Sequence, residues 1–555
     1  MTWNYGDMYE AIAAAMPEDQ PALIHEGNMT TWKELDKRSN NIGRSLMDMG
    51  AVPGDKVAFY MRNHSAYMEM LASCFKASLT HVNINFRYVE DELWYIIDNS
   101  DSRVVVFAAE FAPQVEKLRS RLPDVFLWLQ VDDGHPGADF ASSKPDCRYE
   151  HYEALATSGN GESLDIDRQP DDLILLYTGG TTGMPKGVMW GHVDLWTAGG
   201  GGANPVAMLE APETLEEHVN NIVQLGGGPR NMPVCPLMHG TGLLTGIGVL
   251  ARGGCVVTVG SAHFDAAEIW HTVESQQVNS LAIVGDAFGR PLLQELDKNP
   301  GKYDLSSLLG KYDLSSLLGM VSSGVMWSPE IKQGLIKHNP QMSLVDSFGA
   351  SEAVGFGQSV TTAELGVEVA KFSVGEFTRV FSEDHQEILP GSDEPGFVAR
   401  CGGIPRGYYK DEKKTAETFP VINGVRYSIP GDWCRVETDG TITLLGRGSV
   451  CINTAGEKVY PEEVEEILKT HADVEDALVV GVPDEQWGQS VTGVVELRQD
   501  IKLDEDELRQ FVHKHLAGYK CPKRILSVDN IGRAVNGKAD YKRITQFART
   551  ELGIA

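Results

Sequence analysis

The feature that most constrains the fold is a short apolar run that ends in a loop of glycine and threonine. Residues 173–176 are Leu, Ile, Leu and Leu, which is typical of a strand buried on both faces of an α/β sheet. After Tyr177 come six residues, 178–183, that are all glycine or threonine. Glycines let successive backbone N–H groups turn towards one anion, and threonine hydroxyls add donors. With the positive charge of Lys186, the stretch predicts a loop that binds a polyphosphate.

Two other interpretations of this stretch are weaker. It departs from the P-loop pattern G-x-x-x-x-G-K-[ST], because Met184 and Pro185 separate the last loop glycine from the lysine. Gly187 also replaces the Ser or Thr that would hold a magnesium ion in a P-loop. The second alternative is that the stretch is an ordinary glycine-rich turn after a strand and has no functional role.

The charge of the chain limits its partners. Acidic residues outnumber basic ones by 78 to 48, which gives a formal charge of −30 over 555 residues. Such a field repels nucleic acid and anionic membranes. The eight cysteines are scattered along the chain, and their spacing indicates reduced thiols rather than a disulfide framework or a zinc site. Residues 1–20 contain no lysine or arginine, and no apolar run is long enough to span a bilayer, so we expect a cytoplasmic protein.

The order of predicted elements indicates an α/β fold in two parts. Strands predicted at 56–60 and 103–107 flank helical segments at 71–76 and 90–99, which is typical of parallel β-α-β units. We predict a large N-terminal α/β domain, residues 1–446, with parallel-rich sheets and flanking helices. Beyond it, residues 451–555 predict a small α+β module. The glycines at 199–202 and 226–228 bracket a segment of low periodicity, which we expect to be a long mobile loop.

Further motifs follow the glycine–threonine loop along the chain. They are Pro236–Gly242 with His239, the segment Asp346–Glu352, the block Gly407–Lys410, the pair Gly431–Asp432, the run Gly446–Ser449, and Gly537–Lys538. In this order they resemble the signature of the adenylate-forming enzymes, the superfamily that includes the acyl-CoA synthetases. The resemblance covers roughly residues 20–545. The amino-acid sequence at 184–190 and 446–453 is most similar to that of the bacterial fatty-acid and sterol-side-chain CoA ligases.

The resemblance implies a reaction in two halves, with Mg²⁺ as cofactor and with ATP and coenzyme A as co-substrates. A carboxylate attacks the α-phosphate of ATP to give acyl-AMP, and the CoA thiol then displaces AMP. Lys538 would bridge the carboxylate and the α-phosphate, while Glu352 and Thr178 would hold the magnesium ion. His239 would lie beside the carboxylate pocket.

The resemblance also assigns the nucleotide contacts. The loop at 178–183 would hold the β- and γ-phosphates, Phe348 would face adenine, and Ser351 would contact the α-phosphate. Asp432 would accept both ribose hydroxyls. The other implied ATP contacts are Gly179, Gly180, Thr181, Thr182, Gly183, Lys186, Ser323, Gly324, Val325, Asp346, Ser347, Gly349 and Arg447, and the implied CoA contacts are Gly456, Glu457 and Lys458.

Two departures from the family pattern leave alternatives open. The implied hinge at 447–450 carries Ser449, where the family has Asp or Lys, so a charged latch is missing between the large domain and the mobile small one. Residues 302–310 are repeated without change as 311–319. One alternative is therefore a homologue that binds nucleotide without catalysis. Another is an adenylating enzyme with a non-CoA acceptor, which the lack of a carrier domain and the loop at 455–458 disfavour. A homodimer and a monomer are both open.

Overall fold

The structure is a computed structural model that describes most of the chain. The described residues are 2–137, 148–178, 184–204, 207–298, 314–324, 327, 329–365, 371–392, 394–447, 452–454, 457–459, 461–484, 486–499, 501–532 and 541–554.

Helices are distributed along the whole chain. The described α-helices are α1 (Tyr5–Ala15), α2 (Trp32–Asp48), α3 (Ser65–Lys76), α4 (Glu90–Asn99), α5 (Ala112–Leu118), α6 (Tyr152–Thr157), α7 (His192–Ala198), α8 (Leu215–Gln224), α9 (Gly240–Leu250), α10 (Ala266–Ser275), α11 (Gly285–Lys298), α12 (Pro329–His338), α13 (Glu412–Thr418), α14 (Pro461–Lys469), α15 (Glu505–His515) and α16 (Tyr541–Glu551). Short 3₁₀ turns cover Ala109–Phe111, Arg119–Arg121 and Gly518–Lys520.

Strands alternate with these helices. The described strands are β1 (Pro21–His25), β2 (Asn28–Thr31), β3 (Lys56–Tyr60), β4 (Thr80–Asn83), β5 (Ser102–Ala108), β6 (Leu127–Val131), β7 (Arg148–His151), β8 (Leu173–Thr178), β9 (Lys186–Gly191), β10 (Arg230–Pro233), β11 (Cys255–Thr258), β12 (Ser280–Ile283), β13 (Gly319–Ser323), β14 (Ser343–Ala350), β15 (Ala353–Thr361), β16 (Lys371–Val374), β17 (Thr378–Phe381), β18 (Gly396–Arg400), β19 (Gly407–Tyr408), β20 (Val421–Ile422), β21 (Val425–Arg426), β22 (Asp432–Val436), β23 (Ile442–Arg447), β24 (Ile452–Thr454), β25 (Glu457–Val459), β26 (Val474–Asp484), β27 (Gly488–Leu497) and β28 (Arg524–Val528).

Two large sheets organise most of the described strands. One has thirteen strands in the order β17-β18-β22-β23-β16-β15-β14-β13-β12-β10-β11-β1-β2, and the run from β14 to β1 is parallel. The other has eight strands in the order β19-β9-β8-β4-β3-β5-β6-β7, of which β8 to β7 are parallel. A five-stranded sheet is built from β24 to β28. The predicted parallel-rich α/β domain and small α+β module are confirmed.

Contacts within the chain divide it into two compact units. The first unit comprises residues 1–86, 97–176 and 187–445, and the second comprises 87–96, 177–186 and 446–555. The predicted hinge at 447–450 falls largely outside the described residues, so the hinge and the mobility of the small domain stay predictions. The described helices include none with the length and apolar character needed to cross a membrane.

Several helix starts are set by local capping. Thr31 caps α2, with its side chain accepting from the Glu34 N–H while the Glu34 carboxylate accepts from the Thr31 N–H. Asp504 caps α15 in a similar way, by accepting from the Glu507 N–H. Strand β3 and helix α4 have the predicted bounds, because their apolar spacing is unambiguous.

The prediction of a loop without regular structure between 199 and 228 was wrong. Helix α8 occupies Leu215–Gln224 and buries Val219 and Ile222. Its signal is local, since Thr214 accepts a hydrogen bond from the N–H of Glu217 three residues later. The surrounding glycines obscured this capping pattern.

The repeated nonapeptide joins the core through its second copy. Leu314 and Leu317 are 0% and 1% exposed and belong to the hydrophobic core that surrounds Trp270. The backbone N–H of Leu318 donates to the carbonyl of Asn279, and β13 begins at Gly319. The second copy therefore leads directly into a central strand, whereas the first copy lies outside the described residues.

Candidate functional site

Two segments that carry predicted ATP contacts, one ending at Ser323 and the other containing Asp346 and Ser347, lie side by side. Strands β13 and β14 pair in parallel, with Ser322 opposite Asp346 and Ser323 opposite Ser347. Ligands of α/β sheets bind outside the carboxyl ends of the strands. Gly324 follows with φ of +92°, a conformation that favours glycine, and among the described residues an added Cβ would meet only Val284, at 3.8 Å. The structure thus brings Ser323, Gly324 and Ser347 together at one edge.

Asp346 is engaged in a buried ion pair. Its Oδ2 atom lies 2.6 Å from the Nζ atom of Lys332, whose side chain is 3% exposed. Burial raises the pKa of the Asp346 carboxyl, and the Lys332 ammonium opposes that shift. Sequence reasoning missed Lys332, because a lysine within α12 carries no motif that distinguishes it from a solvated one.

Phe348 packs in the core of the first unit. Its ring centroid lies 5.2 Å from those of both Phe356 and Phe372, and the residue is 8% exposed. This packing leaves little of the ring for an adenine, so the stacking role stays a prediction. The same strand ends at Ala350, and a turn at Ser351 and Glu352 connects it to β15.

The turn that carries Glu352 is held by three side chains. The indole Nε1–H of Trp190 donates to the Ser351 carbonyl at 2.8 Å, and the Ser428 hydroxyl donates to the Glu352 carbonyl at 2.6 Å. The Tyr408 hydroxyl donates to the Glu352 carboxylate at 2.7 Å. Glu352 itself is half-buried. The turn is therefore fixed on both sides by residues distant in the chain.

His239 is the residue that precedes α9, on a loop fixed by asparagines. The side-chain amide of Asn83 donates to the Met238 carbonyl at 2.7 Å, and the Leu237 N–H donates to Asn63 Oδ1 at 2.6 Å. His239 is half-buried, and a Cβ added at Gly240 would meet no atom of the described residues within 4 Å. The first turn of α9 thus borders open space beside His239. The sequence around Asn63 and Asn83 gives no indication that these two side chains hold the loop.

Asp432 begins β22 and is 7% exposed. Gly431 before it has φ of +99°, a left-handed conformation that favours glycine. This explains why a Gly-Asp pair occurs here. Ser428, four residues earlier, reaches the Glu352 carbonyl, so the segment that ends at Asp432 runs past the Glu352 turn.

The remaining predicted site residues belong to the second unit or lie outside the residues that the structure describes. Thr178 ends β8, and Lys186 begins β9. Glu457 is 8% exposed and forms an ion pair with Arg87 in the same unit. Arg447 ends β23 and Lys458 lies within β25, but their side chains are outside the described part. The other predicted site residues that lie outside it are Gly179, Gly180, Thr181, Thr182, Gly183, Val325, Gly456 and Lys538.

The donors of the predicted metal site suit magnesium. Among the described residues, no donor contacts Oε2 of Glu352, so one carboxylate oxygen remains after the bond from Tyr408. A carboxylate oxygen is a hard ligand, which Mg²⁺ prefers.

Comparison with sequence families defines the class of protein. The profile of the AMP-binding enzymes matches residues 9–396, and that of the AMP-binding enzyme C-terminal domain matches 463–538. The chain belongs to the AMP-binding enzyme family. This confirms the resemblance to the adenylate-forming acyl-CoA synthetases.

Curated relatives narrow the comparison further. The chain is 41% identical to 3-oxocholest-4-en-26-oate–CoA ligase of Rhodococcus rhodochrous, over 100% of this chain and 97% of that protein. It is 40% identical to a medium/long-chain-fatty-acid–CoA/3-oxocholest-4-en-26-oate–CoA ligase of Mycobacterium marinum, over 97% and 95%. These relatives are acid–thiol ligases, the predicted enzyme class.

Solved structures share the fold. The amide bond synthetase McbA from Marinactinospora thermotolerans has a TM-score of 0.75 at 21% identity, over 97% of this chain and 99% of that one. The o-succinylbenzoate CoA synthetase MenE from Bacillus subtilis has a TM-score of 0.74 at 20% identity, over 97% and 98%. At these identities the likeness concerns the fold alone.

Proposed function

We propose that this protein is an ATP-dependent carboxylate–CoA ligase that forms an acyl-AMP and then an acyl-CoA. We propose further that its acid is a fatty acid or a sterol side-chain acid. The observation that carries the proposal is the 41% identity, along the whole chain, with a ligase named for a sterol side-chain acid. The Glu352 turn and the paired ends of β13 and β14 support it, since they place polar groups where α/β folds bind ligands.

The chemistry requires no protein nucleophile. Attack of a carboxylate on phosphorus is accelerated by positioning and by stabilising charge that develops on the phosphate oxygens. Lys538 would supply a positive charge between the carboxylate and the α-phosphate, and the loop at 178–183 would orient the β- and γ-phosphates. A magnesium ion, when bound, neutralises phosphate charge, and Glu352 would hold it. The segment 456–458 would line the path of the CoA thiol.

A panel of carboxylic acids tests the proposal. We expect pyrophosphate release that depends on both ATP and acid, followed by CoA-dependent release of AMP. The panel runs from acetate through medium- and long-chain fatty acids to sterol side-chain acids. Pyrophosphate release without CoA-dependent thioester would favour the non-CoA acceptor. No pyrophosphate release with any acid, from folded protein that binds ATP, would favour the impaired homologue.

The ribose contact of Asp432 is testable by ATP titration. Asp432→Ala is expected to raise the KM for ATP, because two ribose hydroxyls lose a charged acceptor worth about 1.5–3 kcal/mol. That corresponds to about 10- to 100-fold. Asp384→Ala is the matched control, since Asp384 is exposed on a turn of the same unit. An unchanged KM for ATP, with the melting temperature preserved, would remove Asp432 from the site.

Deletion of 302–310 tests whether the repeat belongs to the site. The product is the same whichever copy is removed, and it retains the leucines that the second copy packs into the core. Since loop length changes stability by only about 0.6 kcal/mol per doubling, we expect unchanged pyrophosphate release and an equal or higher melting temperature. Leu314→Ala in the full chain is the contrast, with an expected loss of about 2–5 kcal/mol. A shortened protein that folds but releases no pyrophosphate would place the repeat in the site.

Three finer points complete the proposal. We propose Mg²⁺ as the cation, the cytoplasm as the location, and retain the homodimer as an alternative to the monomer. The eight cysteines, scattered along the chain without a paired spacing, support the location, because such cysteines are typical of proteins in a reducing compartment. Light scattering coupled to size-exclusion chromatography distinguishes dimer from monomer.

A further inference from the structure

Tyr408 lies in a sequence block to which no role is assigned, yet its hydroxyl contacts the carboxylate predicted to hold the cation. The Tyr408 Oη–H donates to Oε1 of Glu352 at 2.7 Å. The two residues are 56 positions apart, so their contact depends on the tertiary fold. We propose that Tyr408 is a positioning residue that orients the Glu352 carboxylate for a divalent cation. The inference rests on the proposed function, because it concerns the cation of that reaction.

The backbone of Tyr408 is fixed independently of Glu352. Strand β19 pairs antiparallel with β9, with Tyr408 opposite Val188. The Tyr408 N–H also donates to the hydroxyl of Thr415 at 2.9 Å. Gly407 before it has φ of +146°, and a Cβ there would come within 2.4 Å of Thr415 Cγ2, so this approach requires glycine. The backbone from which the Tyr408 side chain projects is therefore held rigidly in the sheet.

The ring of Tyr408 is also confined. It is 7% exposed, and its centroid lies 5.7 Å from that of Phe419 in a tilted arrangement. A buried ring with a fixed backbone can aim its hydroxyl in few directions. The hydroxyl consequently fixes the rotation of the carboxylate it contacts.

The same face of β9 secures the backbone of the turn. Trp190 lies two residues after Val188, so both side chains leave the strand on one face. Its indole holds the Ser351 carbonyl, while Ser428 holds the Glu352 carbonyl. With both flanking carbonyls fixed, Tyr408 controls the remaining freedom of the Glu352 side chain. It occupies Oε1, while no donor among the described residues contacts Oε2, so that oxygen can serve as the ligand of a cation.

Tyr409 offers a matched control. It is the next residue along the chain, in the turn that follows β19, but its hydroxyl donates to the exposed Asp101 at 2.7 Å. Substituting either tyrosine by phenylalanine removes one hydroxyl and keeps the ring. Only the Tyr408→Phe change removes a bond to Glu352.

The first test titrates Mg²⁺ in the pyrophosphate-release assay at saturating ATP. Loss of a group that orients a metal ligand typically weakens metal affinity by 10- to 100-fold. We expect Tyr408→Phe to raise the half-maximal Mg²⁺ concentration by about 10-fold, with kcat largely restored at saturating Mg²⁺. Tyr409→Phe should leave the Mg²⁺ dependence unchanged. In a Glu352→Gln background, Tyr408→Phe should cause no further shift, because it acts through that carboxylate.

Calorimetry supplies a readout that does not need activity. ATP binding is measured with Mg²⁺ and with excess chelator. Tyr408→Phe should weaken ATP binding only in the presence of Mg²⁺. An unchanged Mg²⁺ dependence in both assays, or equal weakening with and without the metal, would overturn the inference. If the wild-type protein released no pyrophosphate with any acid, the proposed function would fail, and calorimetry would still decide the role of Tyr408.

Discussion

Lys538→Ala is expected to slow acyl-AMP formation by about 10²–10³-fold, while thioester formation from supplied acyl-AMP continues at nearly the wild-type rate. The physical reason is the loss of one preorganised positive charge beside the phosphate oxygens, where negative charge develops. Losing one such contact has an effect of this size in other enzymes. In the proposed mechanism the lysine acts only in the first half-reaction, because the α-phosphate is attacked only there. Pyrophosphate release measures the first half, and CoA-dependent release of AMP from supplied acyl-AMP measures the second.

Lys542→Ala is the control for this prediction. Lys542 is exposed on α16, four residues further along the chain, so its replacement removes the same charge from the surface. We expect both half-reactions to be unaffected in this variant. An equal loss in both halves for Lys538→Ala would show that Lys538 supports the fold and not the adenylation step.

Lys520→Ala is expected to destabilise the second unit by about 3–5 kcal/mol, because it leaves a buried carboxylate without its partner. Lys520 is 1% exposed, and its Nζ lies 2.7 Å from Oε1 of Glu92, a residue of the same unit. The other oxygen of Glu92 accepts the Ala517 N–H at 2.8 Å. The Lys520 ammonium also lies 4.4 Å from the centre of the Tyr88 ring. Hydrogen exchange of the amides in β28 measures the loss locally.

A double-mutant cycle measures how much Glu92 and Lys520 stabilise the protein through their interaction with each other. Replacing both partners, as Glu92→Gln with Lys520→Met, is expected to be less destabilising than the sum of the single changes, because no unpaired charge remains. Lys514→Ala is the matched control, since Lys514 is exposed at the end of α15. Additive losses across the cycle would mean that Glu92 and Lys520 contribute independently.

The sequence alone determined the local structure and the family of the protein. Helix starts such as Thr31 with Glu34, and the apolar strand that precedes Thr178, depend on residues within a few positions of one another. The order of the motifs was also enough to predict the family. Where local signals were mixed, as with α8 between two glycine runs, the prediction failed, although Thr214 carried the needed cap.

Only the tertiary structure decided which side chains meet. The register of β19 against β9 brings Tyr408 to Glu352, and parallel pairing of β13 with β14 sets Ser323 beside Ser347. It also placed the Phe348 ring in the core. Glu92 and Lys520 are 428 residues apart. The physical reason is that sheet register and packing are fixed by the burial of whole faces, so contacts across strands leave no trace in the spacing of neighbouring residues.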